Sequence, residues 1–142
     1  MTASDRLDPG IFEGLAGVRL AMRRFLSFSE AALSQAGITS QQYQAMLVIK
    51  IAAQSQIMVR ELSQQMMMQR NGAVQLIDRL EAARLAIRIP STTDKRSVLV
   101  ALTDHGETVL ETLARAHLGA MLENEPLLVE SLAQLRRLAE IG

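Results

Sequence analysis

Apolar residues recur along this chain at two spacings, one helical and one strand-like. From Ile11 a stripe passes through Leu15, Val18, Met22, Phe25/Leu26 and Ala32/Leu33 at the helical period, with Arg19, Arg23 and Arg24 off it. It predicts a helix of roughly 25 residues that ends at Gly37, a residue suited to the left-handed position after a helix. Residues 1–9 are polar, end in Pro9 and read as a loose arm. ITSQQYQ opens a second helix with Thr39 or Ser40 as N-cap. From Tyr43 to Ala53 this helix is apolar nearly all round, which places it at the centre of a domain. The pattern breaks over Gln54–Met58, and a short third helix follows over Val59–Met66, with Val59, Leu62 and Met66 inward.

A fourth helix begins near Gln69–Asn71 and puts Ala73, Leu76, Ile77, Leu80 and Ala83 on one face. The period then changes. Leu85–Ile89 and Ser97–Leu102 read as two short strands around a polar turn, Ser91–Lys95. A lone hairpin is marginal, so it must lie on the helices or pair with the stretch near Ile57. Thr103 caps a fifth helix, with Glu107 close to the position that reinforces a cap, and Pro126 fits the first turn of a sixth, Leu-rich one.

The sum is mainly α with a small β wing. Two helices joined by a brief link and followed at once by a basic-tipped hairpin have the outline of a winged helix-turn-helix. The chain divides into residues 1–37, an arm and a dimerisation helix; 38–103, a DNA-binding core; and 104–142, C-terminal dimerisation helices. Composition agrees: of the 142 residues about half are apolar but only three are Phe, one Tyr and none Trp, which favours a helical core of Leu, Ile, Val, Ala and Met. The triple Met66-Met67-Met68 reads as core filling at a helix junction.

Net charge is zero, yet its distribution is uneven. Residues 57–100 hold seven basic groups against four acidic ones, and residues 101–142 hold three against seven. The basic middle coincides with the helix and hairpin, as a nucleic-acid-facing surface requires. The absence of Cys excludes disulfides and thiol redox switching. No run of about 18 apolar residues suggests a membrane span, and the N-terminus lacks a signal-peptide layout, so a cytoplasmic protein is expected. His105 and His117 are too isolated for a metal or catalytic site, and no cofactor motif or catalytic set is present; an enzyme is not expected.

Residues 38–106 resemble the multiple antibiotic resistance regulator (MarR) family of bacterial transcription factors. ITSQQYQAMLVI, VRELSQQM and RNGAVQLIDRLE stand for the three helices of its core, and RIPSTTDKRSVLVALTDHG for the wing and the helix after it. The most specific part is Asp94-Lys95-Arg96, then Leu102-Thr103 and Gly106. Two departures stand out. Arg84 occupies the usual Gly position after the recognition helix, where the chain must either strain or let the helix run on. Met58 replaces the usual Ser or Thr cap of the short helix.

The resemblance implies a homodimeric repressor on a near-palindromic operator in double-stranded DNA. Gln69, Arg70, Asn71 and Gln75 would enter the major groove, where Arg suits guanine and Asn or Gln suits adenine. Arg79 and Arg60 would meet phosphates or form surface pairs. On the wing, Lys95 and Arg96 would face DNA, with Asp94 either orienting Arg96 or simply favouring the turn. Release by a small aromatic or phenolic effector is also implied, in a cleft that Arg23, Tyr43, Met46 and His117 would line; Tyr43 reads equally as a packed residue of the central helix. The competing class is a winged-helix dimer that serves as a protein-interaction module. Zero net charge and Gly72, inside the recognition helix, favour that class.

Overall fold

Pro9 is the first residue of a helix and not the end of an arm. Asp8 is its cap: the Asp8 carboxylate accepts from the Gly10 N–H at 2.7 Å, and Pro has no N–H to leave unsatisfied there. The computed structural model describes residues 5–91 and 97–141. Helix α1 spans Pro9–Ala36 and stops at Gly37, which takes φ +70°. Helix α2 is Ser40–Ile51, entered through a capping box: Thr39 Oγ1 accepts from Gln42 N–H, and the Gln42 side chain accepts from Thr39 N–H. After a 3-10 turn, Ala53–Ser55, come strand β1 (Gln56–Met58), helix α3 (Val59–Gln65) and helix α4 (Arg70–Ala82). Strands β2 (Ala86–Pro90) and β3 (Val98–Leu102) follow, then helix α5 (Asp104–Ile141).

The stretch near Ile57 does pair with the hairpin. The sheet order is β1-β3-β2, antiparallel throughout, with Ile57 opposite Val100 and Arg88 opposite Val100 on its other side. Three strands and the helices beneath them give the hairpin the support it lacks alone. Met46, Ile49, Leu62, Leu76, Ile77, Leu80 and Val100 are fully buried and form the centre of the core. Helix α2 is less enclosed than its composition predicts. Its buried face is Gln42, Ala45, Met46 and Ile49, while Ile51 is exposed.

The chain forms two compact units, one made of α1 up to Ala31 and α5 from Ala116, the other of residues 32–115. In the first unit the helix-helix seam does not use the Leu and Met stripe of α1. Its small residues Gly10, Gly14 and Gly17 meet Leu138, Leu135 and Ser131 of α5, and Ala21 is buried. A Cβ on Gly14 would lie 2.8 Å from Leu135, and one on Gly17 would overlap the Ser131 hydroxyl, so the close approach of the helices requires glycine. Gln134 donates to the Gly10 carbonyl at 2.7 Å across the same seam. Further along, the buried His117 Nε2 shares a 2.8 Å hydrogen bond with Ser29 Oγ, between the edge-on rings of Phe25 and Phe28.

Two expectations about α5 need correction. Pro126 does not start a new helix: α5 is continuous for 38 residues with Pro126 inside it. Pro126 removes one backbone donor from the ladder, and the Asn124 side chain adds a donor one turn earlier, to the Ala120 carbonyl at 2.8 Å. Thr103 does cap the helix, through Gly106 N–H at 2.9 Å, but Glu107 does not reinforce that cap. It pairs with Lys50 of α2 at 2.6 Å.

Arg84 resolves the question of the missing glycine. The helix ends and Arg84 itself takes φ +62°. Its N–H donates to Glu81 O and the next N–H, of Leu85, to Leu80 O, the two bonds of a Schellman ending. A left-handed non-glycine residue costs about 1–2 kcal/mol, partly offset by the greater unfolded-state freedom of Gly. Arg84→Gly is therefore expected to raise stability by about 1 kcal/mol in urea unfolding. A loss of stability would contradict this account of the helix end.

Candidate nucleic-acid interface

Helix α4 is two-faced. Ala73, Leu76, Ile77 and Leu80 are at most 2 % exposed, so the helix cannot rotate without uncovering the core. Ala83, expected on the same face, lies at the exposed C-cap instead. The opposite face carries Gln69, Arg70, Asn71, Gln75, Asp78 and Arg79, all exposed. Gln69 is the N-cap and Arg70 and Asn71 the first two helical residues, so their side chains project around the start of the helix. Neither α3, entered through Met58, nor α4 has a side-chain cap, which leaves their first N–H groups facing outward for acceptors from elsewhere.

The link between the two helices is tight. Met67 takes φ +54°, with its N–H on Gln64 O and that of Met68 on Ser63 O. Met66 and Met68 pack against the core as core filling should, but Met67 is 93 % exposed. Its left-handed backbone turns the side chain away from both helices. Gly72 has no packing reason within the chain, since a Cβ there would meet only Met68 Sδ, at 3.8 Å.

Charge on α4 is arranged by a neighbour. Arg88 of β2 donates to Asp78 at 2.8 Å and to Glu81. Its pKa is the balance of opposing effects: burial lowers it, while the hydrogen bonds and charges of Asp78 and Glu81 raise it and prevail. Arg60, Arg70 and Arg79 are exposed and pair with no carboxylate among the described residues. Arg88 is legible in the sequence only as one more basic group; its role comes from contacts seven and ten residues back along the chain.

Asp94, Lys95 and Arg96 of the wing lie outside the described residues. The strands that lead to them, β2 and β3, are in register up to Pro90 and Val98. The four residues expected at an effector cleft have different settings. Met46 is fully buried in the core and offers no accessible surface, and Tyr43 is half-buried against the same core, its pKa raised by that burial. Arg23 is exposed on a surface groove of α1 with Arg19, Met22 and Glu30, and His117 is buried against Ser29. Sequence reading misses Arg88 and Met67, and only the break in helical period before Gln69 hints at the latter.

Residues 36–97 match the model of the MarR family. The match takes in the helices of the winged-helix core and its first wing strand, less than half of the chain. No curated protein matches the chain by sequence. Among solved structures the chain is similar to a mutant of MarR from E. coli complexed with operator DNA, at 25% identity over 87% of this chain and 88% of that one, with a TM-score of 0.69. In fold it is also similar to AbsC, a MarR family transcriptional regulator from Streptomyces coelicolor (22% identity, 87% and 82% covered, TM-score 0.70). A mutant of MepR from S. aureus, bound to an oligodeoxyribonucleotide, has the same fold at 20% identity (79% and 78% covered, TM-score 0.64). The matched segment begins at the end of α1 and stops just before β3, so it contains α3, α4 and β2 of the candidate interface.

Gly72→Ala is expected to stabilise the folded chain by about 0.5–1 kcal/mol, since Ala is the better helix former and the site has room. Urea unfolding checks this, and a destabilised variant would show that Gly72 is needed for packing after all.

Proposed function

We propose that the chain is a sequence-specific DNA-binding transcriptional regulator that acts as a homodimer and represses by occupying a near-palindromic operator. The observation that carries this reading is the locked α4: one face is sealed in the core while Arg70, Asn71 and Gln75 stand exposed at its N-terminal half. An Arg and two amides there have the donors and acceptors that read guanine and adenine edges. The likeness to MarR with operator DNA supports the same use of the helix. Gly72, free of any intrachain packing need, fits a helix whose backbone comes close to a partner. Control by a small aromatic or phenolic effector rests on the family resemblance alone.

Dimerisation is supported by what the glycine seam leaves outside. On α1, Phe12, Leu15, Met22 and Leu26 are exposed, and on α5 Leu118, Leu122, Val129 and Leu132. Each set repeats mostly at three- and four-residue steps or their sums, a continuous apolar seam that a monomer's surface would not carry. A second copy of the chain is the occupant of matching composition. Obligate interfaces of this kind bury more than about 2,000 Å².

Two experiments test the reading. Binding to duplex DNA, followed by fluorescence anisotropy, should weaken linearly in log–log form as salt rises. Arg70→Ala should cost about 1–3 kcal/mol on the preferred sequence and relax preference at one base position per half-site. Uniform weakening on all sequences would make Arg70 a phosphate contact, and no salt-dependent binding at all would leave the protein-interaction reading. In sedimentation, Leu132→Asp should shift the chain from dimer to monomer and weaken DNA binding together. A wild-type chain that is a stable, folded monomer at micromolar concentration contradicts the dimer.

A further inference from the structure

Arg88 lies on the inward face of the sheet, in register with the fully buried Val100. From that position its guanidinium reaches α4, where one nitrogen donates to Asp78 Oδ1 at 2.8 Å and the other to Glu81 Oε1. Its backbone N–H also donates to Glu81 Oε2, at 3.4 Å. The side chains of Arg88 and Glu81 are about one-third exposed, so this part of the cluster is only partly shielded from water and salt, while Asp78 is 61% exposed.

The placement of Asp78 makes this pairing matter. Asn71, Gln75 and Asp78 are four and three residues apart, so they form one line along α4. The line that begins with two base-reading amides therefore continues into a carboxylate. A free carboxylate on a helix seated in a groove is repelled by the phosphates on either side. Glu81, one turn beyond Ile77, adds a second negative charge to the same half of the helix.

We propose that Arg88 is a positioning residue for DNA recognition: it gathers Asp78 and Glu81 into one ion-paired cluster and so keeps two carboxylates of the reading helix from acting on the DNA. This rests on the DNA-binding reading above. Arg88 acts through Asp78 and Glu81 and touches no base.

The test uses the whole chain and a duplex that the wild type selects from a random pool. Arg88→Ala should weaken binding about fivefold or more at low salt, and the deficit should shrink as salt rises, because the lost effect is charge on charge. Adding Asp78→Asn and Glu81→Gln to Arg88→Ala should restore affinity to within about twofold of wild type. A loss that the two neutral residues do not restore overturns the proposal, and if the salt slope also falls by about one, Arg88 is a direct phosphate contact. Should Arg88→Ala fail to fold by circular dichroism, Asp78→Asn with Glu81→Gln in the otherwise unchanged chain decides. That variant should bind more tightly than wild type at low salt, and weaker binding overturns the proposal. A wild-type chain that selects no DNA defeats the DNA-binding reading itself; a wild type that binds, with variants that disobey, defeats only the role of Arg88.

Discussion

The placement of α4 depends on one corner of backbone, Arg84–Leu85. Arg84 takes the left-handed turn that ends α4, and its carbonyl accepts from the Thr103 hydroxyl at 2.6 Å. Leu85 O accepts from the Thr103 N–H at 3.1 Å. The same Thr103 hydroxyl accepts from Gly106 N–H and so starts α5. Gly106 is pressed so near that a Cβ would overlap Leu85 O. The end of α4, the first wing strand, the last wing strand and the start of α5 thus meet at four residues. A side chain at Gly106 would overlap Leu85 O, and loss of the Thr103 hydroxyl would remove the bonds to Arg84 O and from Gly106 N–H that close this corner.

Arg88 acts a few residues further on. The corner sets where β2 leaves α4, and Arg88 then reaches back to Asp78 and Glu81. The zero net charge of the chain says little about this surface. What matters is that both carboxylates on α4, Asp78 and Glu81, are already engaged, while Arg60, Arg70 and Arg79 are exposed. Local pairing, not the overall sum, sets the field a polyanion would meet.

Features carried by short-range chemistry are legible in the sequence. The Thr39 capping box, the sealed face of α4 through Leu76, Ile77 and Leu80, and the two strands about Ile89 and Val98 follow from neighbours a few residues apart. Features set by distant contacts are not. Strand β1 has three residues, too few for a period-two signal; the need of the hairpin for support points to the stretch near Ile57, but the register of Ile57 with Val100 is set by the fold. The buried face of α1 is hidden in the sequence because Gly10, Gly14 and Gly17 carry no hydropathy signal, whereas Leu15, Met22 and Leu26 do and yet face outward. Pro126 has the look of a helix start, since a break in one backbone bond is visible locally and the packing that carries a helix across it is not. Arg88 and Met67 belong to the same class: their surroundings, not their spacing, give them meaning.

The central claim is that α4, held by its buried face and by the Arg84–Leu85 corner, reads DNA in pairs across a two-fold axis. Selection of duplexes from a random pool by the purified chain tests it most directly. The account predicts enrichment of an inverted repeat whose half-site centres are separated by about 10 base pairs or a multiple of it. Enrichment of a single unpaired half-site, or none beyond the salt-sensitive background that any basic surface gives, would contradict it.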